Sequence, residues 1–369
     1  MRIVAVTTWF PTDRAPSSGV FVAQDLEAIA AQPGVEEIRL LHLVNPRLHD
    51  GATRTRHAGI DVRRVPMNPL NPLDLIRVSR ELPRLLEGAD VVHSMAMSSL
   101  APLALSRHGR RWLHTEHWSG LTNPGTVPWP LRPAIGIVKL LLRAPQTVTA
   151  VCDYLARPIR RARYPRRTAT IGCIVPPREH LVGRPLRPAE ALRLVAVGGL
   201  VERKDPLLAV RTIAELRARG IPACLTWVGG GRLARQVTRL ARTLTVSDSV
   251  VLAGPQDPTG VSAALEAADM FFLPTRGDNF CVSAAEALVH GRPVVVGATG
   301  GQGEYIDPAV GTLVHEQDPA AYADAIVDLQ RRTQHLTAAE IAATIRDRFA
   351  PEAIGERYVA EYRHLQRSR

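Results

Sequence analysis

Lysine is almost absent from this chain of 369 residues: Lys139 and Lys204 are the only two, so the basic side chains, 46 against 35 acidic, are nearly all arginine. The net charge of +11 therefore sits on guanidinium groups, which suit phosphates and anionic surfaces. Aromatic residues make up only 5%, and no arginine-aromatic run forms a platform for bases, which argues against a nucleic-acid partner. The four cysteines, Cys152, Cys173, Cys224 and Cys281, are scattered without a Cys-x-x-Cys pair. That excludes a disulfide-dense scaffold and fits a reducing, cytoplasmic setting. Long apolar runs are missing too, since nothing approaches the roughly 18 residues of a membrane span. The apolar start runs into Trp9-Phe10-Pro11, where a signal peptide would need a longer core, so residues 2–8 read as a first strand. No His-x-x-x-His, Asp-x-Asp or cysteine cluster offers ligands, so no metal is expected.

What is present is an alternation. Apolar runs over 2–8, 37–44, 60–65, 90–94, 111–115 and 147–151 read as strands, and helical patterns over 20–31, 73–86 and 98–107 fall between them. The stretch 178–190 has two prolines and no periodicity, which marks a domain boundary. Beyond it strands at 192–197, 225–228, 250–253, 270–274 and 293–296 alternate with helices at 206–219, 233–243, 259–267 and 283–290. Short, unbroken apolar strands are those of a parallel sheet covered on both faces. The expected architecture is α/β: two Rossmann-like, doubly wound domains, 1–180 and 190–350, facing a central cleft, with a closing helix at 351–369 that returns to the first domain.

The segment that carries most chemistry follows the apolar run ending at Pro274. Residues Asp278-Asn279-Phe280-Cys281-Val282 form a polar turn before a helix, whose free first amides make an anion site. Glu286 lies about one turn into that helix, where a carboxylate can accept from both hydroxyls of a ribose. Asp278 stands before the helix and can reach another part of the same ligand. Ribose, diphosphate over the helix start, and sugar would suit this spacing.

This segment resembles the acidic-x7-acidic signature of retaining glycosyltransferase family 4, Pro-Ser-x-x-Glu-Gly-Phe-Gly-x-x-x-x-Glu-Ala-x-x-x-Gly-x-Pro-Val-Val. The counterparts here are Pro274, Thr275, Asp278, Asn279, Phe280, Cys281, Glu286, Ala287, Gly291, Pro293, Val294 and Val295. Thr299-Gly300-Gly301 is similar to the glycine loop that passes the donor sugar, and Val197-Gly198-Gly199-Leu200-Val201-Glu202-Arg203-Lys204-Asp205 to Val-Gly-Arg-Leu-x-x-x-Lys-Gly. Lys204 matches the phosphate-binding lysine. Gly199 stands in place of the family arginine, with Arg203 or Arg276 as substitutes for its charge. In the N-terminal half, Phe10-Pro11 and Ser17-Ser18-Gly19 resemble the loop that touches the diphosphate, and His117 sits where the family places a histidine near the reacting carbon.

The resemblance implies a GT-B fold and a retaining, metal-independent transfer of a sugar to an acceptor hydroxyl. No cofactor is implied beyond the nucleotide-diphosphate donor, with UDP ahead of GDP. It assigns His117, Asp278 and Lys204 to catalysis. Donor binding falls to Gly19, Gly198, Gly199, Arg203, Lys204, Asp278, Asn279, Phe280, Cys281, Val282, Glu286, Gly300 and Gly301. Asp278 is one methylene shorter than the usual Glu, a gap of about 1.5 Å that is expected to change the sugar subsite.

Two other functions compete. Gly229-Gly230-Gly231-Arg232-Leu233-Ala234 satisfies G-x-G-x-x-A, the fingerprint of a dinucleotide-dependent oxidoreductase, but no acidic residue closes the next strand. A non-catalytic nucleotide-sugar-binding relative is the other, motivated by Gly199 and Asp278. The arginines Arg54, Arg56, Arg63, Arg64, Arg77, Arg80, Arg84, Arg107, Arg110 and Arg111 form either a solvated basic face or a peripheral contact with an anionic membrane.

Overall fold

The computed structural model describes residues 1–16, 18–184 and 191–367, so Ser17 and part of the expected boundary, 185–190, lie outside the described residues. The chain divides into two compact units, one of residues 1–174 with 349–369 and one of 175–348.

The first unit runs β1 (Arg2–Thr7), α1 (Val20–Ala30), β2 (Glu37–Val44), β3 (Arg54–His57), β4 (Ile60–Pro66), α2 (Pro72–Leu85) and β5 (Val91–Met95). It continues through α3 (Leu100–Leu105), β6 (Arg111–Glu116), α4 (Pro133–Leu141), β7 (Thr147–Ala150), α5 (Asp153–Arg163) and β8 (Thr168–Thr170). Its sheet has the order β3-β4-β2-β1-β5-β6-β7-β8, and every pairing is parallel except β3 with β4. The central strands are apolar on both faces because helices cover both, as Ile3, Val4, Ala5 and Val6 of β1 are all buried.

Two expectations need correction. The helix expected at 98–107 is a 3-10 turn at Met97–Ser99 followed by the shorter α3. The strand β3 was not expected, because Arg54-Thr55-Arg56-His57 carries no apolar signal and pairs only at the sheet edge. The arginines read as one basic face are divided. Arg64 is buried, with Nη1 2.6 Å from Asp50 Oδ2. Arg56 pairs with Asp61, Arg77 with Glu81, and Arg111 donates to the Gln366 carbonyl.

The second unit runs β9 (Leu192–Val197), α6 (Pro206–Ala218), β10 (Ala223–Val228), α7 (Ala234–Thr243), β11 (Val250–Gly254), α8 (Pro258–Ala267) and β12 (Met270–Leu273). Then come α9 (Val282–Val289), β13 (Val294–Gly297), β14 (Gly311–Val314), α10 (Pro319–Thr333) and α11 (Ala338–Ala343). All strands are parallel in the order β11-β10-β9-β12-β13-β14. The chain leaves β9 toward β10 on one side and returns to β12 on the other. The β9/β12 edge is thus the switch point, where ligands of open α/β sheets bind at the carboxyl ends.

The closing helix α12 (Pro351–Arg367) belongs to the first unit and packs on α1. A Cβ at Gly355 would stand 2.4 Å from the Ala28 carbonyl oxygen, so only glycine lets the two backbones approach this closely. Under the helix, Tyr358 donates to Asp25 Oδ2 at 3.1 Å and the Tyr362 hydroxyl meets His93 Nδ1 at 2.7 Å. His93 Nε2 in turn meets Thr115 Oγ1 at 2.7 Å, so this buried histidine is a bracket between helix and sheet. Gly355→Ala should lower stability by about 1–3 kcal/mol through overpacking. Denaturant unfolding of the full chain measures it, and an unchanged midpoint would refute this account of the α1–α12 contact.

Candidate active site

In the second unit, β9 and β12 are neighbours, and the loops leaving their carboxyl ends meet through charge. Asp278 Oδ2 accepts from Lys204 Nζ at 2.6 Å and from Arg203 Nη1 at 2.8 Å. Arg203 also donates to the Gly277 carbonyl at 3.1 Å. Burial raises the Asp278 carboxyl, but Lys204 and then Arg203 outweigh it and hold the group below its ordinary value. Its other oxygen has no partner among the described residues.

The backbones around this cluster fit only with glycine at defined places. Gly198 has a φ of 149°, a conformation that L side chains rarely adopt, and the lysine stem passes beside it, with Lys204 Cε 3.4 Å from where a Cβ would stand. A Cβ on Gly300 would lie 2.0 Å from the Asp278 carbonyl oxygen, and that same oxygen accepts from Gly301 N at 3.1 Å. The glycine loop therefore clamps Asp278 from behind. Gly199 is different, because its nearest foreign atom to a Cβ would be the Gly230 carbonyl at an ordinary 3.6 Å. A Cβ makes only ordinary contacts there.

Helix α9 starts from Cys281, whose φ of 61° is in the left-handed region. A non-glycine residue costs roughly 1–2 kcal/mol in that conformation. Tyr305 fixes the turn by donating its hydroxyl to the Cys281 carbonyl at 2.7 Å, and the Phe280 ring packs on Tyr305 at 5.1 Å. The first amides of α9, including those of Val282 and Ser283, have no acceptor within the helix. Asn279 is buried and Val282 exposed at this turn.

Glu286 lies one turn into α9, and its carboxyl has no hydrogen-bond or ion-pair partner among the described residues. Burial pushes its pKa up to about 7. The two acids are thus held differently: Asp278 is ionised between two cations, whereas Glu286 lacks compensation for its charge.

Several contacts here were not read from the sequence. Arg276 does not join the Asp278 cluster, since its Nε donates to Asp205 Oδ2 at 2.7 Å. Thr275 Oγ1 and Arg276 N both donate to the Arg203 carbonyl, at 3.0 and 2.8 Å, and so place the Arg203 backbone. Asp205 also caps α6, accepting from Leu208 N, with φ of 47°. Its signal was available, because aspartate occupies the place of glycine in Lys-Gly.

Gly19 and His117 belong to the first unit. Gly19 starts α1 with φ of 68°, and a Cβ there would lie 2.3 Å from the Trp9 carbonyl oxygen. Phe21, on the first turn of α1, packs its ring 4.5 Å from the His117 ring, which draws these two positions into one neighbourhood. Burial lowers the His117 pKa to about 4, so the imidazole is neutral at physiological pH. The buried Glu116 accepts from His117 N and Trp118 N, both at 2.8 Å, and fixes the turn.

The glycine run after β10 has a structural cause. A Cβ on Gly229 would lie 2.1 Å from the Gly198 carbonyl oxygen and one on Gly231 2.5 Å from that of Leu200. These glycines let two loops touch. The strand they follow is the second of its unit, and β11 ends in Gly254 without the acid a dinucleotide ribose needs. Nothing here supports the oxidoreductase reading.

A carboxylate held by two cations thus stands beside a helix start, with a second carboxylate one turn on that has no partner among the described residues. Residues 18–174 match the family model "Glycosyl transferase 4-like domain" and residues 191–332 match "Glycosyl transferases group 1". The chain belongs to this glycosyltransferase family. It is 34% identical over 152 residues to D-inositol 3-phosphate glycosyltransferase 2 of Catenulispora acidiphila, covering 38% of this chain and 36% of that protein. With D-inositol 3-phosphate glycosyltransferase of Acidothermus cellulolyticus it shares 28% identity over 73% of this chain and 68% of the other. Among solved structures it is similar to sucrose-phosphate synthase from Thermosynechococcus elongatus, with TM-score 0.78 and 22% identity over 99% of each chain. Anabaena HepE, solved with UDP and glucose, gives TM-score 0.73 and 16% identity, covering 97% and 98% of the two chains. Both likenesses establish the GT-B type of fold.

The Glu286 environment sets a pH dependence. With its folded pKa near 7 and an unfolded value of 4.5, the stability difference is absent at acid pH and builds as pH rises through that window. Glu286→Gln should match the parent at pH 4 and exceed it by about 2–3 kcal/mol at pH 8. Urea unfolding at both pH values checks this, and equal stability at pH 8 would contradict it.

Proposed function

We propose that this chain is a retaining glycosyltransferase that moves a sugar from a nucleotide diphosphate, UDP ahead of GDP, to an acceptor hydroxyl. The observation that carries the reading is the pair of unlike carboxylates around the start of α9. Glu286, with no partner among the described residues, would accept from the two ribose hydroxyls. The diphosphate would lie over the first amides of α9 and take the charge of Lys204 and Arg203, which Asp278 holds in position. HepE, with UDP and glucose bound, and the inositol-phosphate glycosyltransferases are the relatives that favour a nucleotide-sugar donor.

In a retaining transfer the acceptor oxygen attacks the anomeric carbon on the face that the diphosphate leaves. The bond from anomeric carbon to phosphate oxygen breaks, and the leaving oxygen takes the acceptor's proton. No protein nucleophile is needed. A neutral His117 would serve as a hydrogen-bonding group toward the sugar rather than as a cation. Lys204, Arg203 and the helix amides would stabilise the departing diphosphate, so we infer that no divalent ion or other cofactor is required. Asp278, committed on one side to the cations, would offer its other oxygen to a sugar hydroxyl.

Calorimetry tests the donor site. Because hydroxyl donors favour the ionised carboxylate, UDP binding should release a proton near pH 7, and Glu286→Ala should weaken it at least ten-fold, the loss of two hydrogen bonds to a charged group. Unchanged affinity would refute the assignment. The anomeric coupling constant of the product tests the stereochemistry, and an inverted product would overturn retention.

Gly199 offers a gain-of-function check. Gly199→Arg makes only ordinary contacts at its Cβ and adds a guanidinium to the loop after β9, so affinity for UDP should rise by about ten-fold, the worth of one charge-assisted hydrogen bond. Equal or weaker binding would show that Arg203 and Lys204 already meet the diphosphate's charge.

A further inference from the structure

Most large apolar side chains of the first unit are buried, but those around the start of α2, Leu70, Leu73 and Ile76, are exposed, and so is a stretch leading into and along α4. Trp129 is 79% exposed, Leu131 50%, Ile137 60% and Leu140 67%. On α4, Pro133, Ile137 and Leu140 recur at the four- and three-residue spacing of a single face. Val138 and Leu142 point the other way and are buried. Arg132, Lys139 and Arg143 share one flank of the apolar stripe, with the spacing of seven and four residues that keeps them in line. All three are exposed. Leu105, at the end of the neighbouring α3, adds a further exposed apolar side chain at 57%.

The charge around this stripe has one sign. No aspartate or glutamate occurs between Glu116 and Asp153, and Glu116 is itself buried. A helix with an apolar face, a basic flank and a tryptophan at its entry has the make-up of an element that lies in a membrane interface. Tryptophan suits the headgroup level, and the stems of Lys139 and the arginines can cover apolar surface while their charged ends stay in water. Among the described residues no helix is long and apolar enough to cross a membrane, so such an element would rest on the surface.

We propose that the face formed by Trp129, Leu131, Ile137 and Leu140, flanked by Arg132, Lys139 and Arg143, docks this chain on an anionic lipid bilayer. Charge complementarity selects the bilayer. A second copy of the chain would bring the same cations against these and leave them opposed, whereas acidic headgroups neutralise them while the acyl region takes the apolar stripe. This surface is separate from the arginines of β3, β4 and α2, several of which are tied up in ion pairs. The proposal goes beyond the donor-site reading and stands without it, because vesicle binding needs no turnover.

Co-sedimentation of the full chain with vesicles decides it. Vesicles of phosphatidylcholine mixed with phosphatidylglycerol should bring the chain down, and vesicles of phosphatidylcholine alone should not. Ile137→Glu with Leu140→Glu should abolish sedimentation. Replacing Arg132, Lys139 and Arg143 by Gln should weaken it by about 100-fold, roughly five-fold per cation. Both sets lie on exposed positions, and UDP affinity measured alongside should stay at the parent value, which shows that the chain remains folded. Failure of the parent to bind mixed vesicles at low salt would overturn the proposal. So would undiminished binding by the Ile137/Leu140 variant. A parent that is dimeric by sedimentation velocity, with this variant monomeric and neither bound to vesicles, would assign the face to a second copy and equally overturn it.

Discussion

The convergence of Lys204 and Arg203 on one oxygen of Asp278 is the contact on which the rest of the second unit's site depends. Two cations from the loop after β9 and one anion from the loop after β12 cross the point where the strand order reverses. Without the carboxylate, two like charges would face each other at close range with little water to screen them. Without the cations, a largely buried carboxylate would be uncompensated. The cluster therefore sets loop positions as much as it sets charge. The hydrogen bonds around it, from the Thr275 hydroxyl and Arg276 N to the Arg203 carbonyl and from Gly301 N to the Asp278 carbonyl, follow from loops held in register.

That balance explains how the loop after β9 holds the Lys204 ammonium in place. A lysine stem has four rotatable bonds, and leaving it free would make each binding event cost its ordering. The ion pair with Asp278 orders the ammonium in advance. Glu286 represents the opposite choice, since its carboxyl is left uncompensated and its pKa near 7 reflects that. One carboxylate organises the cations, and the other keeps its acceptors available. Such unequal environments for two acids in one site are a recurring mark of functional chemistry.

Much of this was legible in the chain itself. The parallel sheets followed from unbroken apolar runs such as Met270-Phe271-Phe272-Leu273, Glu286 from its place one turn into the helix after a strand end, and Lys204 from the resemblance of its loop to the family motif. The edge strand β3 was not legible, because strand propensity is carried by burial and Arg54-Thr55-Arg56-His57 buries little. Neither was the pairing of Asp278 with Arg203 and Lys204, which depends on β9 and β12 being neighbours, a fact of topology that no local window contains. The exposed stripe on α4 was hidden for the converse reason. Apolar periodicity in a sequence reads the same whether the face meets a core or the surrounding medium.

The departures from the family pattern carry a physical message of their own. Among the positions where the resembled motifs have glycine, two that lack it here, Asp205 and Cys281, have left-handed backbone, at φ of 47° and 61°. The geometry that makes glycine usual has been kept although the glycine has gone. Each replacement brings something glycine lacks. Asp205 caps α6 and pairs with Arg276, contacts that offset the strain of its conformation. Cys281 is buried, and its carbonyl is held by Tyr305. A third departure, Gly199, goes the other way, giving up a side chain where the backbone does not require it. The backbone path of the two loops thus persists through changes of side chain on either side of it. What differs is the distribution of charge along that path, with no side chain at position 199 and a guanidinium at Arg203 beside the lysine that the motif shares.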